Sequence, residues 1–238
     1  MIALDETDST NAEAARLAAS GAAAPLWIMA RRQTAGRGRR GRAWATPPGN
    51  LSATLLMRPE WPPAEAALMS FAACLAVADV FDAVAPQADV ALKWPNDPLL
   101  NGRKAAGVLL ESAGGGGRLD WLAVGVGVNL AHAPPQEPGA WPPTSVAAET
   151  GAAPDPETAL AHLAAALAGW TARLEADGFA PLRAAWLARA ARLGEKVTAR
   201  LPRETVEGVF TDIDATGALV LTCSGARRRI AAADVFFA

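Results

Sequence analysis

The sequence contains no tyrosine, only two histidines and only two cysteines in 238 residues. Cys74 and Cys223 stand far apart and match no metal-ligand spacing, which excludes a zinc ribbon or a disulfide framework. Cys74 falls in an apolar helical run and reads as core. His132 and His162 are isolated, the second in an alanine-rich stretch, so no Ser/His/Asp or Cys/His arrangement can be assembled. No Walker-type glycine–lysine motif is present, and phosphates are therefore not cradled in the P-loop manner. No basic-then-apolar leader precedes the first motif, and no apolar run is judged long enough to span a bilayer. No membrane partner and a reducing cytoplasm are expected. The net charge of −2 gives no global attraction to nucleic acid or anionic lipid. The missing tyrosine and abundant alanine are taken as drift of base composition.

What is present is a globular composition, 51% apolar and 19% charged, long enough for one ordinary domain and a small one. The segment Arg31–Asn50 stands out. Six of its first twelve residues are arginine (31, 32, 37, 39, 40 and 42), spaced by Gly36, Gly38 and Gly41. Neither a helix nor a strand suits it, because glycine makes ordering expensive and like charges repel unless an anion lies among them. Apolar runs flank it, Leu26–Ala30 and Leu51–Met57, both read as strands.

The rest of the chain alternates elements. Thr10 and Glu13 have the form of a capping box opening a helix through Ala19, which puts Asp8, Ser9 and Thr10 at a helix N-terminus. A continuous helix is expected over Ala64–Ala85, a strand over Val90–Trp94, and a hairpin turn at Asn101-Gly102. Lys104–Ser112 and Leu119–Leu130 read as paired strands. In Val124-Gly125-Val126-Gly127-Val128-Asn129 the glycines fall on one face, which admits either a ligand or a tightly packed helix. A proline-rich loop covers Ala133–Pro143, and helices are expected over Asp155–Ala176 and Pro181–Leu193. From Lys196 several short strands with turn signals indicate a small β-barrel, with Arg227–Arg229 on a solvated edge strand. The fold class is α+β, a mixed β-sheet with packed helices followed by that barrel. The division is residues 1–190 and 191–238.

The chemistry converges on two motifs besides the loop. Lys93-Trp94-Pro95-Asn96-Asp97 packs a cation, a ring, an amide and a carboxylate into one turn. Trp44 and Trp94 offer planes for a purine, Asn96 an amide for its edge, and the arginines suit phosphates. Electrostatics and positioning, not acid–base work, fit transfer of a nucleotidyl group to a carboxylate.

Asp8-Ser9-Thr10-Asn11, the Gln33…Gly36-Arg37-Gly38-Arg39-Arg40-Gly41-Arg42-Ala43-Trp44 loop, Lys93–Asp97, Arg103-Lys104-Ala105-Ala106-Gly107 and Gly125–Asn129 occur in the order and spacing of biotin protein ligases. The chain resembles that family over essentially its whole length, and the small barrel is SH3-like there. The resemblance implies that ATP and biotin form biotinoyl-5′-AMP, whose acyl group passes to a lysine of a biotin carboxyl carrier protein of a biotin-dependent carboxylase. It implies Lys104 and Arg39 as catalytic residues. Biotin falls to Ser9, Thr10, Asn11, Gln33, Gly36, Arg37, Gly38, Arg39, Lys104, Gly107 and Gly125. ATP falls to Arg37, Arg39, Arg40, Arg42, Trp44, Lys93, Asn96, Asp97, Lys104 and Asn129, with Asp97 also serving Mg2+. Ala105 stands where that family usually has a larger aliphatic residue, which implies a pocket wall there that is looser or compensated elsewhere. The helix-turn-helix of repressor-type ligases is not seen, so no DNA binding is expected, and a monomer or weak homodimer is. The alternatives are a lipoate-type acyl-adenylate ligase of the same fold and a nucleic-acid-binding module.

Overall fold

The structure is a computed structural model and describes residues 1–136 and 141–237. Of the expected Ala133–Pro143 loop, residues 137–140 lie outside the described residues. The chain runs β1 (Ile2–Thr7), α1 (Thr10–Ala19), β2 (Leu26–Gln33), a short 3-10 turn at Arg39–Gly41, β3 (Leu51–Met57), α2 (Pro63–Ala66) and α3 (Met69–Val84). It continues through β4 (Val90–Lys93), β5 (Asp97–Leu100), β6 (Arg103–Lys104), β7 (Ala106–Gly115), β8 (Arg118–Val128), α4 (Val146–Thr150), α5 (Pro156–Asp177) and α6 (Phe179–Ala188). The last part is β9 (Lys196–Arg200), β10 (Thr205–Ile213), β11 (Leu219–Cys223), β12 (Ala226–Ile230) and β13 (Asp234–Phe237).

The main sheet has the order β1-β2-β3-β8-β7, with β1 parallel to β2 and the other neighbours antiparallel. Strand side chains alternate between faces, and the sequence exploits this. Met29, Leu51, Ala53, Leu55, Val124, Val126 and Val128 face a large core shared with α3, α5 and α6. Ile28, Leu56 and Ala123 face the other way, against Ala14 and Ala18 of α1. On that second face the register aligns Ser52, Gly127 and Gly107 in one row across β3, β8 and β7, and Thr54, Gly125 and Leu109 in the next. Gly125 and Gly127 thus mark where the α1 face gives way to open space. A three-stranded sheet β4-β5-β6 turns at Asn101-Gly102, both with positive φ, as a two-residue hairpin requires.

Several expectations need correction. The N-cap of α1 is Ser9, one residue before the proposed capping box, and Glu13 pairs with Arg16 instead of capping. Arg31–Gln33 extend β2, so the arginine segment begins on a strand. The expected helix over Ala64–Ala85 is two helices. Leu68 and Phe71 bond back to Glu65 and Leu68 in 3-10 fashion at the junction, where both side chains lie against Gly217 of the C-terminal sheet. The segment Pro63–Val84 also meets the length and hydropathy criteria for a membrane span, contrary to expectation, but 67% of the apolar window is buried inside the fold. Its α3 part is a core helix of this structure. Helix α6 ends at Ala188 and not Leu193, because Arg189 and Ala191 leave to hydrogen-bond Leu92 on β4.

The C-terminal strands form one antiparallel sheet, β12-β11-β10-β9-β13. Among the described residues β12 and β13 do not pair with each other, so the ladder does not close into a barrel. Arg227–Arg229 lie on the exposed edge strand as expected, each paired with a carboxylate (Asp212, Glu204 and Asp214). Trp94 braces this sheet to the rest. It is buried, and its Nε1 donates to Gly217 O at 3.0 Å.

Candidate active site

A cavity of about 470 Å³ opens over the two glycine rows. At its closed end, α1 begins against β2 and β3. Gln33 Oε1 accepts from the Thr10 backbone N–H (2.8 Å) and hydroxyl (3.2 Å), while its Nε2 donates to Thr46 (3.0 Å) and Ser52 (3.1 Å). Asn11 Oδ1 accepts from Thr54 (2.7 Å) and its Nδ2 donates to Leu109 O. A Cβ on Gly125 would stand 2.2 Å from Asn11 Oδ1, so this glycine admits the start of α1. Close packing against α1 therefore requires this glycine, which also lines the cavity. A Cβ on Gly127 would stand 2.3 Å from Trp44 Nε1, and one on Gly107 3.3 Å from the same ring. These two glycines let an aromatic plane lie on the sheet within the cavity.

The charged wall comes from the Lys93–Asp97 turn and β6. Asp97 Oδ1 lies 2.5 Å from Lys104 Nζ, and Oδ2 lies 3.4 Å from Lys93 Nζ. Burial opposes the Asp97 charge, but the two ammonium groups outweigh it and hold the carboxyl below its ordinary range. Burial lowers the Lys93 pKa, against the pull of Asp97. Two lysines against one carboxylate leave one positive charge uncompensated beside the cavity. Lys104 Nζ also stands 5.6 Å from the Trp44 ring centroid, and Lys93 Nζ 5.4 Å from that of Trp141.

The arginine loop forms the roof. Arg39 reaches into the cavity, with Nη1 3.5 Å from Asn96 Oδ1, and burial lowers its pKa. Arg37 Nη2 pairs with Glu111 at 3.3 Å. Arg40 and Arg42 reach Asp234 of β13 at 2.6 and 3.1 Å.

The cavity brings together most of the residues named from sequence: Thr10, Asn11, Gln33, Arg37, Gly38, Arg39, Arg42, Trp44, Lys93, Asn96, Asp97, Lys104, Gly107, Gly125 and Asn129. Ser9, Gly36 and Arg40 do not line it. Ser9 is the buried helix cap position, Gly36 lies behind Gln33 and Trp44, and Arg40 turns outward. Trp94 braces the C-terminal sheet and offers no face to a purine in this cavity. Ala105 is fully buried between Pro98 and Asn129 and forms no part of the wall, so its small size does not loosen the pocket. Sequence reasoning missed Ser52, Trp141, Asp234, Val235 and Phe236. Only Trp141, a lone aromatic in a proline-rich loop, carried a usable signal.

Metal binding by side chains is not supported by the donor set. Among the described residues no group of three His, Cys, Asp or Glu side chains converges, and both Asp97 oxygens are taken by lysines. A divalent cation here would have to arrive with its own phosphate ligands.

A pocket closed by glycine-backed strands, with a hydrogen-bonded polar end, a cationic wall and an arginine roof, defines an enzyme that activates an acid with a nucleotide. The chain belongs to the biotin/lipoate A/B protein ligase family, whose model matches residues 4–129, and the biotin protein ligase C-terminal domain matches residues 193–238. It is 54% identical to a biotin–[acetyl-CoA-carboxylase] ligase of Paracoccus denitrificans, over 98% of this chain and 99% of that one. It is 37% identical to the ligase of the same name from Mycobacterium tuberculosis, over 97% and 86%. The fold matches a biotin protein ligase from Aquifex aeolicus in complex with biotin and ATP, with a TM-score of 0.86, 24% identity and coverage of 100% and 98%.

Proposed function

We propose that this chain is a biotin protein ligase that activates biotin with ATP and transfers it to acetyl-CoA carboxylase. The observation that carries this is the cavity itself. A polar end built by Thr10, Asn11 and Gln33 suits a compact ureido group, the glycine rows suit an apolar ring and chain, and Lys104 suits the carboxylate at the far end. Relatives of 54% and 37% identity carry this activity in their names.

In the first step the biotin carboxylate oxygen attacks the α-phosphorus of ATP. The bond from that phosphorus to the bridging oxygen breaks, and pyrophosphate leaves. Lys104 and Arg39 bring together two anions that repel, and they offset charge growing on the phosphoryl oxygens. Asp97 sets the position of Lys104. In the second step the neutral ε-amine of a carrier lysine attacks the acyl carbonyl, AMP leaves, and an amide forms with loss of the amine proton. The roof keeps water from the mixed anhydride meanwhile. Trp44, Asn96, Asn129 and Trp141 surround the space left for the nucleoside. Mg2+ is read as a companion of the ATP phosphates and not of Asp97. The carrier is read as a biotin carboxyl carrier domain, residues 1–190 as the catalytic unit and 191–238 as its C-terminal partner. The enzyme is read as a cytoplasmic monomer or weak homodimer without operator DNA.

Arg37, Arg40 and Arg42 pair with Glu111 and Asp234, which favours the ligase reading over the nucleic-acid alternative. ATP–pyrophosphate exchange, run with biotin and with lipoate side by side, tests the reading. Exchange with biotin alone is expected. Exchange that follows lipoate, or occurs with neither acid, would overturn it.

A further inference from the structure

Residues 39 and 40 are neighbours with opposite destinations. Arg39 enters the cavity, whereas Arg40 turns out of it and takes a backbone φ of 58°, in the left-handed region that a non-glycine residue adopts at a cost. That conformation persists only where surrounding contacts hold it. The contact is Asp234, the first residue of β13. Its Oδ2 accepts from Arg40 Nη1 at 2.6 Å and its Oδ1 from Arg42 Nη2 at 3.1 Å, so both oxygens are used on two arginines flanking Gly41. The next residues of the same strand, Val235 and Phe236, line the cavity. The partners are 194 and 192 residues apart in sequence, and the fold has brought the C-terminal sheet to the loop.

We propose that Asp234 is a positioning residue that latches the arginine loop over the catalytic cavity from the C-terminal sheet. It divides the arginines into two sets. Arg40 and Arg42 hold the roof to the sheet, and this fixes the turn from which Arg39 points inward. Asp234 also supports the Arg39 charge through space, against the burial that opposes it. Through this contact the C-terminal sheet acts on the chemistry by way of the roof, and the effect falls on how long the roof stays shut. This last step rests on the ligase reading; the latch itself does not.

Both pairs are partly exposed, so their combined effect is modest, about fivefold. Full-length Asp234→Asn, Asp234→Glu, Arg40→Ala and the Asp234→Asn/Arg40→Ala double variant are treated with trypsin, and cleavage at Arg39 and Arg42 is timed by mass spectrometry. Nicking about fivefold faster is expected in Asp234→Asn, which breaks both pairs, and about twofold faster in Arg40→Ala, which breaks one, with no gain in the double variant beyond Asp234→Asn and near-normal protection in Asp234→Glu. Release of preformed biotinoyl-AMP should accelerate by the same factor in the same variants, at temperatures well below their Tm. Wild-type nicking in Asp234→Asn, or a double variant equal to the product of the singles, would overturn the latch. If Asp234 merely stabilises β13, its loss lowers Tm without moving nicking or release, and Arg40→Ala does nothing; that result also overturns it. Should Asp234→Asn fail to fold, Arg40→Ala breaks the same contact from the loop side. Absent biotin exchange in the wild type would defeat the ligase reading while leaving the protection result to judge the latch.

Discussion

The floor and the roof of the cavity use the same kinds of groups and build opposite things from them. On the floor, Lys93, Asp97 and Lys104 form ion pairs whose side chains are 7%, 13% and 27% exposed, held on paired strands and a proline turn. On the roof, Arg37, Arg40 and Arg42 form ion pairs whose arginine side chains are 43%, 41% and 64% exposed, held on a segment with one 3-10 turn. A charge pair removed from water is costly to break, because the abandoned partner stays buried. A pair open to solvent exchanges its partner for water at little cost. The floor is therefore costly to rearrange, and the roof can be displaced at little cost. An enzyme that must admit two substrates and then guard a mixed anhydride needs both.

The largest break in this contrast comes from Lys104→Ala. In the proposed mechanism Lys104 offsets the charge of the carboxylate and the phosphoryl oxygen, so adenylation should fall by about 10³-fold or more. Asp97 retains Lys93, and the stability cost should stay near 1–2 kcal/mol. Stopped-flow adenylation and denaturant unfolding measure the two separately. Adenylation within tenfold of wild type would remove Lys104 from the chemistry and leave it as a structural cation only.

Next in size is Asp97→Asn, which keeps the shape and removes the charge. The buried Lys93 ammonium then loses its counter-ion beside the partly exposed Lys104, and about 3 kcal/mol of stability should be lost near neutral pH. The sign of the pH effect follows from Lys93. Burial already lowers its folded-state pKa, and loss of Asp97 lowers it further, whereas the unfolded lysine keeps its ordinary value. Between those two values the unfolded chain binds more protons, so stability rises with pH. Unfolding measured across neutral to mildly alkaline pH should show the variant recovering part of its deficit as pH rises, from a lower pH than the wild type. A deficit that stays constant with pH would mean that water or a shifted loop, not buried charge, sets the cost.

Much of the floor was legible because it is local. Lys93–Asp97 is one turn, Lys104–Gly107 the junction from β6 to β7, and the glycines at 125 and 127 share a face by the period of two that any strand imposes. Even so, sequence could not say which glycine served which purpose. Gly125 meets a helix residue and Gly127 a pocket residue, and only the register with Thr54 and Ser52 reveals it. The position of α1 was legible, but its cap slipped by one residue, since Ser9 and Thr10 are both good capping residues. The roof was legible as a loop and misread in its partners. Six arginines implied an anionic ligand, yet three of them pair with Glu111 and Asp234, carboxylates supplied by a distant strand edge and by the last strand. Nothing near Arg40 in the chain announces Asp234. The break between α2 and α3 was invisible for the same reason, because no proline or glycine causes it and packing against Gly217 accompanies it.

The smallest effect tests whether the roof is as loosely held as its exposure implies. Arg37 lines the cavity and pairs with Glu111 of β7 at 3.3 and 3.4 Å, both side chains more than a third exposed. Glu111→Gln leaves the side chain's size and hydrogen-bonding ability and removes only its charge. Stability should change by less than about 0.5 kcal/mol, and the KM for biotin should rise by no more than about threefold. The wild-type pair is screened by salt, so the difference between variant and wild type should shrink further as ionic strength increases. Steady-state kinetics at low and high salt provide the measurement. A large, salt-insensitive rise in KM would show that the Arg37–Glu111 pair is desolvated in the closed enzyme, and that this corner of the roof is built like the floor.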